Sequence, residues 1–355
     1  MEDKQMRIIH TADIHLGAAP DKKRTWSKLR EKEIWQTFEA LIGRVKEEQP
    51  DLFIIAGDLF HRPPMERELR EVAALFADIA PIPVVLIAGN HDYIRKNSLY
   101  ERFAWSDNVI FLKDSIMSRV ELKDLATDIY GLSYTEQEIL APVYDHVEPQ
   151  DESRINILVA HGGDEKHAPI RFQRLPVSGF DYVALGHIHK TAWARHANFA
   201  YAGSLEPIDC TETGEHGYLD VDVRKEGCTV QFVPFAKRNY KMLRIAVDLN
   251  ATLVGLRRSV STAISEEGEE HLYHIVFEGE RHPDFQIDCE EIYMLGNVAK
   301  VEDETKISYD FEKLKRENED NMLGVFIDSF AAEDLSEIES KALAYGVQAL
   351  LDAEQ

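Results

Sequence analysis

The sequence is short of cysteine, of basic residues and of long apolar runs. Its three cysteines, Cys210, Cys228 and Cys289, make neither a disulfide framework nor a CxxC metal knuckle, so a reducing cytoplasm is the expected compartment. No stretch reaches the roughly 18 to 20 apolar residues of a membrane span, and the opening MEDKQMRIIHTADIHLG has no apolar h-region. A soluble cytoplasmic protein without membrane contact is expected. Lys and Arg number 40 against 64 Asp and Glu, a net charge of −24. On composition alone that argues against nucleic-acid binding, which needs a basic surface to meet phosphates. Apolar side chain is plentiful: 44% hydrophobic content over 355 residues excludes a disordered chain and fills a large core. Length suggests about two or three domains.

Up to about residue 239 the chain alternates buried-type strands with helical patterns. Strands are expected at 7–11, 52–56, 83–88, 155–160 and 182–185, with helices at 27–48 and about 64–79. Later strands are expected at 199–203, 217–223 and 229–234. This order predicts an α/β fold, a two-sheet β-sandwich flanked by helices. From 240 a strand (241–247), a helix (252–265) and a strand (272–277) form a small β-α-β unit, and from 309 two or three acidic helices follow. The expected domains are 1–239, 240–300 and 301–355. Residues 240–355 hold 11 basic and 26 acidic residues, so −15 of the net charge lies there and −9 in the first 239.

Five segments carry the chemistry: Asp13-Ile14-His15, Gly57-Asp58-Leu59-Phe60-His61, Gly89-Asn90-His91-Asp92, His161-Gly162 and Gly186-His187-Ile188-His189. Each follows an apolar run, at the carboxyl end of a strand where open α/β sheets build their sites. Alone each is ambiguous, since Asp-x-His arises by chance and Gly-Asp after a strand is mostly a turn. Together, in order, they offer Asp, His and Asn donors suited to Mn, Fe or Zn, with no thiolate among them.

The D-x-H, G-D, G-N-H-D, H-G and G-H-x-H series over residues 13–189 resembles the calcineurin-like metallophosphoesterase superfamily, a β-sandwich flanked by helices around two metals. His61, three after Asp58 and followed by prolines, and the opening IHTADIHLG are similar to its DNA double-strand-break-repair nucleases, the bacterial SbcD subunit and its counterparts. The unit at 240–280 is similar to that subfamily's capping domain, which contacts DNA. The resemblance implies that Asp13, His15, Asp58 and His189 hold one metal and Asp58, Asn90, His161 and His187 the other, with Asp58 bridging. The two divalent ions would be Mn first, with Fe, Zn or Mg as alternatives. It makes His91 the catalytic histidine that protonates the leaving 3′ oxygen or stabilises the phosphorane, and places Asp92 to orient its imidazole. His61 becomes an additional histidine for substrate positioning or metal binding. The implied activity is 3′-to-5′ exonuclease on duplex ends with endonuclease on single strands or hairpins. The implied partners are DNA, a second copy in a homodimer, and an SMC-like coiled-coil ATPase (SbcC-like).

Phosphate contacts are expected from Arg62, Arg95 and Lys96 beside the motifs, and from Lys22 and Lys23 in the first loop. Arg24 and Arg67 lie in the same loops near the sheet edge that carries the site, Lys28 and Arg30 are weighed between phosphate contacts and a solvated helix face, and Trp26 and Tyr93 between stacking on DNA and packing. Among other histidines, His10 is expected buried beside the site and His167 is a candidate substrate contact. His146, His196, His216, His271, His274 and His282 read as structural or surface residues. The apolar stripes of the last helices, Phe311, Leu314, Leu323, Phe326, Ile327 and Phe330, then Leu335, Ile338, Leu343 and Leu350, serve either the ATPase or their own domain. Two other functions remain open: a small-molecule or cyclic-nucleotide phosphodiesterase or phosphomonoesterase with the same dinuclear site, and a non-catalytic scaffold organised by metal. Intact ligands and a non-ligand His91 disfavour the scaffold.

Overall fold

The computed structural model describes residues 5–353 except 174, 176–177, 195–196, 226 and 331–334. His196 therefore lies outside the described residues. The chain divides into two units, Met1–Tyr240 and Lys241–Gln355.

The first unit runs β1 (Met6–Thr11), α1 (Ser27–Glu48), β2 (Leu52–Ala56), α2 (Glu66–Asp78), β3 (Val84–Ile87), α3 (Leu99–Arg102), β4 (Val109–Phe111), β5 (Ser118–Leu122), β6 (Thr127–Gly131), β7 (Ile155–His161), β8 (Tyr182–Gly186), β9 (Ala192–Trp193), β10 (Phe199–Tyr201), β11 (Gly217–Arg224) and β12 (Gly227–Pro234). These strands form two six-stranded sheets, ordered β12-β11-β1-β2-β3-β4 and β5-β6-β7-β8-β10-β9. Strands β1 to β4 are parallel, as are β6, β7, β8 and β10, so each parallel set ends at one edge of its sheet.

Apolar residues on both faces of the parallel strands explain the layering. Ile8, Ile54, Val85 and Ile87 of one sheet meet Ile129, Ile157, Val159 and Ala184 of the other in a core between the sheets. On the outer side of the first sheet, Ile34, Phe38, Leu41 and Val45 of α1 and Leu69, Val72 and Phe76 of α2 pack on Ile9, Phe53, Ile55 and Leu86. The outer face of the second sheet is covered by loop residues, among them Tyr134, Tyr144, Ile170 and Phe180.

Helix α1 has the expected bounds and ends where Gln49 turns left-handed (φ 48°) ahead of Pro50. Helix α2 starts two residues later than expected, at Glu66. Met65 is extended there, and the Glu68 carboxylate accepts its N–H at 2.8 Å, closing the first turn from the side chain. The sequence reading passed over β4, β5 and β6. Strand β4 has three half-buried residues, and β5 alternates polar and apolar at an edge.

In the second unit, β13 (Tyr240–Val247), α4 (Leu253–Glu267), β14 (Leu272–Arg281), α5 (Cys289–Tyr293), β15 (Val298–Asp303) and β16 (Lys306–Ile307) build a four-stranded sheet with its own core. Thr252 caps α4, its hydroxyl accepting the Gly255 N–H at 3.1 Å. The boundary expected at 300 falls inside β15, which pairs in parallel with β14, so the sheet runs on to Ile307. Three helices follow, α6 (Phe311–Glu317), α7 (Met322–Asp328) and α8 (Glu337–Ala353). Their stripe residues Phe311, Leu314, Leu323, Phe326, Ile327, Phe330, Leu335, Leu343 and Leu350 pack on one another, while Ile338 is 80% exposed. Among the described residues no helix is long and apolar enough to cross a membrane.

Candidate metal centre

The five motif segments meet at the carboxyl ends of β1, β2, β3, β7 and β8, with His161 the last residue of β7 rather than the first beyond it. Backbone hydrogen bonds tie the loops together: Asp13 N–H donates to Gly57 O (3.1 Å), His15 N–H to Asp58 O (3.0 Å) and His61 N–H to Leu16 O (3.0 Å). Asp13, His15, Asp58 and His187 all have positive φ, between 50° and 94°. Such conformations cost non-glycine residues about 1–3 kcal/mol each and persist where the surroundings impose them, most often at functional sites. Gly89 is needed for space. A Cβ there would overlap the Asp58 carboxylate and lie 2.7 Å from His161 Nε2.

All seven side chains expected to hold metal converge. His15 Nε2 is 3.0 Å from His189 Nε2 and 3.8 Å from Asp58 Oδ2, and His189 Nε2 is 4.0 Å from Asp13 Oδ1. On the other side, Asn90 Oδ1 is 2.9 Å from His161 Nε2 and 3.1 Å from His187 Nδ1, and Asp58 Oδ2 is 3.4 Å from His161 Nε2. Asp58 Oδ2 thus faces both the Asp13, His15, His189 group and the Asn90, His161, His187 group.

The donor set fits divalent cations. Asp13 and Asp58 are fully buried, and neither has a Lys or Arg partner among the described residues. Buried carboxylates need compensating charge. Burial pushes the Asp13 carboxyl up to about 6, whereas at Asp58 the His161 and His15 imidazoles outweigh burial and hold it below the carboxylate range. Burial opposes charge on His161 and His189, yet Asp58 lifts the first to about 9, and Glu212 with Asp13 lifts the second to about 9. Burial, with neighbouring imidazoles, pushes His15 and His187 the other way, so the demand for cations rests on the two buried carboxylates that no Lys or Arg pairs among the described residues.

The imidazoles of the cluster are oriented from behind. His189 Nδ1 meets Glu212 Oε1 at 2.8 Å, His187 Nε2 meets Asp164 Oδ2 at 2.7 Å, and His161 Nδ1 meets the Ala56 carbonyl at 2.9 Å. Each contact leaves the opposite ring nitrogen turned to the cluster, which sets the tautomer a metal ligand needs. The sequence reading missed Asp164 and Glu212. Glu212 lies 23 residues from its histidine, with no motif or spacing to mark it. His167 contacts both Asp164 oxygens through Nδ1 (2.8 and 2.9 Å), so it braces the carboxylate behind His187.

His61 and His91 sit on the His15 side. Their rings stack with centroids 5.2 Å apart, and the His91 ring is 4.8 Å from that of His15. His61 Nδ1 is 3.4 Å from His15 Nδ1, and burial beside His91 lowers the basicity of His61. The His91 N–H donates to Asp58 Oδ1 at 2.8 Å, and its Nδ1 faces the His61 carbonyl at 3.3 Å. Asp92 does not orient this imidazole. Its carboxylate accepts the Gly89 N–H (2.7 Å), the Phe60 N–H (3.2 Å) and the Tyr100 hydroxyl (3.3 Å), bracing the β2 and β3 loops. Burial pushes it up to about 7.

Of the expected phosphate contacts, Lys22, Lys23, Arg95 and Lys96 are exposed, and Arg95 lies over the Tyr93 ring. Arg62 is held by both Glu68 oxygens (2.8 and 3.0 Å), which neutralises its charge. Arg30 is fully buried between Glu33 and Glu206, so it has neither a solvated nor a phosphate-binding role. Trp26 donates to Asp21 at 2.8 Å. His10 is buried against the Tyr182 hydroxyl, His216 against Ser204, and His274 pairs with Glu302.

The family model described as calcineurin-like phosphoesterase matches residues 6–191, a span that takes in every strand end named above. That family works with a dinuclear metal site, and the buried Asp, His and Asn cluster is its counterpart here. The chain belongs to the calcineurin-like phosphoesterase family and is a metal-dependent phosphoesterase.

Proposed function

We propose that the protein is a DNA phosphodiesterase that processes DNA ends in double-strand-break repair, as the nuclease subunit of an SbcCD-like complex. The observation that carries this reading is His61, whose ring stacks on His91 and touches His15, adding an imidazole beside the seven ligands. When bound, two divalent cations, Mn in the first place, supply Lewis acidity and neutralise phosphate charge. Asp13, His15, Asp58 and His189 hold one and Asp58, Asn90, His161 and His187 the other. His91 keeps its Nδ1 proton on the His61 carbonyl, so in the doubly protonated imidazolium the Nε2 proton is the one passed to the leaving 3′ oxygen, and the ring returns to the Nδ1–H tautomer. His61 fixes that ring and meets the substrate strand.

Lys22, Lys23, Arg95 and Lys96 position the phosphate backbone, as ion pairs with phosphates do without reading sequence. The −9 charge of residues 1–239, which carry the metal segments, makes the isolated subunit a weak, salt-sensitive binder, so a second copy and a coiled-coil ATPase supply much of the grip. Exposed Met322, Val325 and Ile338 on α7 and α8 are the contact for that ATPase.

The test is hydrolysis of linear DNA by purified protein with Mn2+ and with chelator, beside bis-p-nitrophenyl phosphate. Chelator-sensitive DNA degradation supports the reading, and it should fall about 10²- to 10⁴-fold in His91→Gln with metal content retained. Vigorous hydrolysis of the small diester with no action on any DNA would replace it with a small-molecule phosphodiesterase.

A further inference from the structure

Beside His189, the residues after β8 and those around 211–216 enclose a cavity of about 420 Å3, within the roughly 300–1,000 Å3 of small-molecule sites. His189 and Glu212 form part of its wall, so the cavity adjoins the metal centre at its His189 edge. Trp193 of β9 also lines it, 41% exposed, and no other ring or cation covers its indole among the described residues. Lys190 and Thr213 add a cation and a hydroxyl, and Glu212 and Glu215 add negative charge. Those carboxylates disfavour a second phosphate. A neutral planar ring with polar edges matches an open indole face bordered by an ammonium and a hydroxyl.

We propose that this cavity receives a nucleobase next to the phosphodiester held at the metal centre, stacked on Trp193 and hydrogen-bonded at its edge by Lys190 or Thr213. The inference rests on the nucleic-acid reading above and extends it to how the substrate strand is gripped. Stacking on one indole is tolerant of sequence because every base has a π face, so this subsite selects nucleotides without selecting a base.

The test is calorimetric titration of the Mn2+-loaded full-length protein with dAMP and with 2-deoxyribose 5-phosphate, which lacks the base. The wild type should bind dAMP roughly 5- to 150-fold more tightly, the range expected of one base–aromatic stack. Trp193→Ala should bring the two ligands to within about twofold of each other without changing the affinity for the sugar phosphate, whereas Trp193→Phe should keep most of the difference. Quenching of indole fluorescence by dAMP, present in the wild type and lost in Trp193→Phe, reads the same contact in a variant that retains an aromatic ring. Equal affinity for both ligands in the wild type, or an undiminished preference in Trp193→Ala, overturns the proposal. DNA degradation by the same preparations separates it from the function it rests on. Normal cleavage with no base preference removes the subsite alone, and base-dependent binding through Trp193 with no DNA cleavage removes the nuclease reading alone.

Discussion

His189 Nδ1 lies 2.8 Å from Glu212 Oε1, and the second oxygen of that carboxylate accepts the Ile208 N–H at 3.0 Å. The proton is thereby fixed on Nδ1, and Nε2 faces His15 and Asp13. Glu212→Ala should weaken metal binding about 10- to 100-fold, as losing the partner behind a ligating histidine does, and Glu212→Gln should weaken it less because an acceptor remains. Calorimetric titration with Mn2+ reads this directly; an unchanged affinity in Glu212→Ala would show that the packing of the loop alone orients the ring.

Gly89 leaves no room for a side chain beside Asp58 and His161. Gly89→Ala places a methyl against the Asp58 carboxylate and 2.7 Å from His161 Nε2, so the two ligands must part or the β3 loop must move. Metal content after purification should drop sharply while the circular dichroism of the sandwich is retained. Full metal occupancy in this variant would mean that the loop yields more easily than its hydrogen bonds to Asp92 suggest.

His10 makes the fold sensitive to acid. Burial in β1 lowers its imidazole from the ordinary 6.5 to about 3, so below pH 6.5 the unfolded chain binds a proton that the folded one refuses. Its share of stability is present above pH 6.5 and is lost as pH falls towards 3, about 2 kcal/mol of it between pH 7 and 5. Urea titrations at both values should show a smaller loss in His10→Gln than in the wild type. An equal loss would assign the acid sensitivity to other groups.

Arg30 is the central cation of a buried network. It meets Glu33 at 3.0 Å, Glu206 at 2.9 Å and the Pro207 carbonyl at 3.1 Å, and Glu206 also accepts from Thr37 at 2.6 Å. Removing one partner strands a buried carboxylate, so Arg30→Ala should cost about 3–5 kcal/mol in denaturant unfolding. A cost under about 1 kcal/mol would mean that Glu206 finds water or a proton instead.

Parallel strands such as β2 and β3 were legible because they are buried on both faces and read as unbroken apolar runs, LFIIA and VVLI, whereas β6, also parallel and buried, reads TDIYG and carries no such run. Strands β4 and β5 lack that mark. One is three residues long and the other lies at a sheet edge, where polar residues are tolerated. Arg30 misled for a related reason. Its place in a helix rich in Lys and Glu resembles a surface position, and only Glu206, 176 residues away, shows that it is inside.

The ligand types and their order along the chain came from sequence alone, because short-range features set them: an Asp, Asn or His directly after a buried strand, with glycine where a side chain would collide. The tertiary structure decided which ring nitrogen each histidine presents, that Asp92 braces loops instead of orienting His91, and that Asp164, Glu212 and Trp193 border the site. Those relations depend on distances of a few ångströms between residues far apart in sequence, and periodicity and spacing carry no record of such distances.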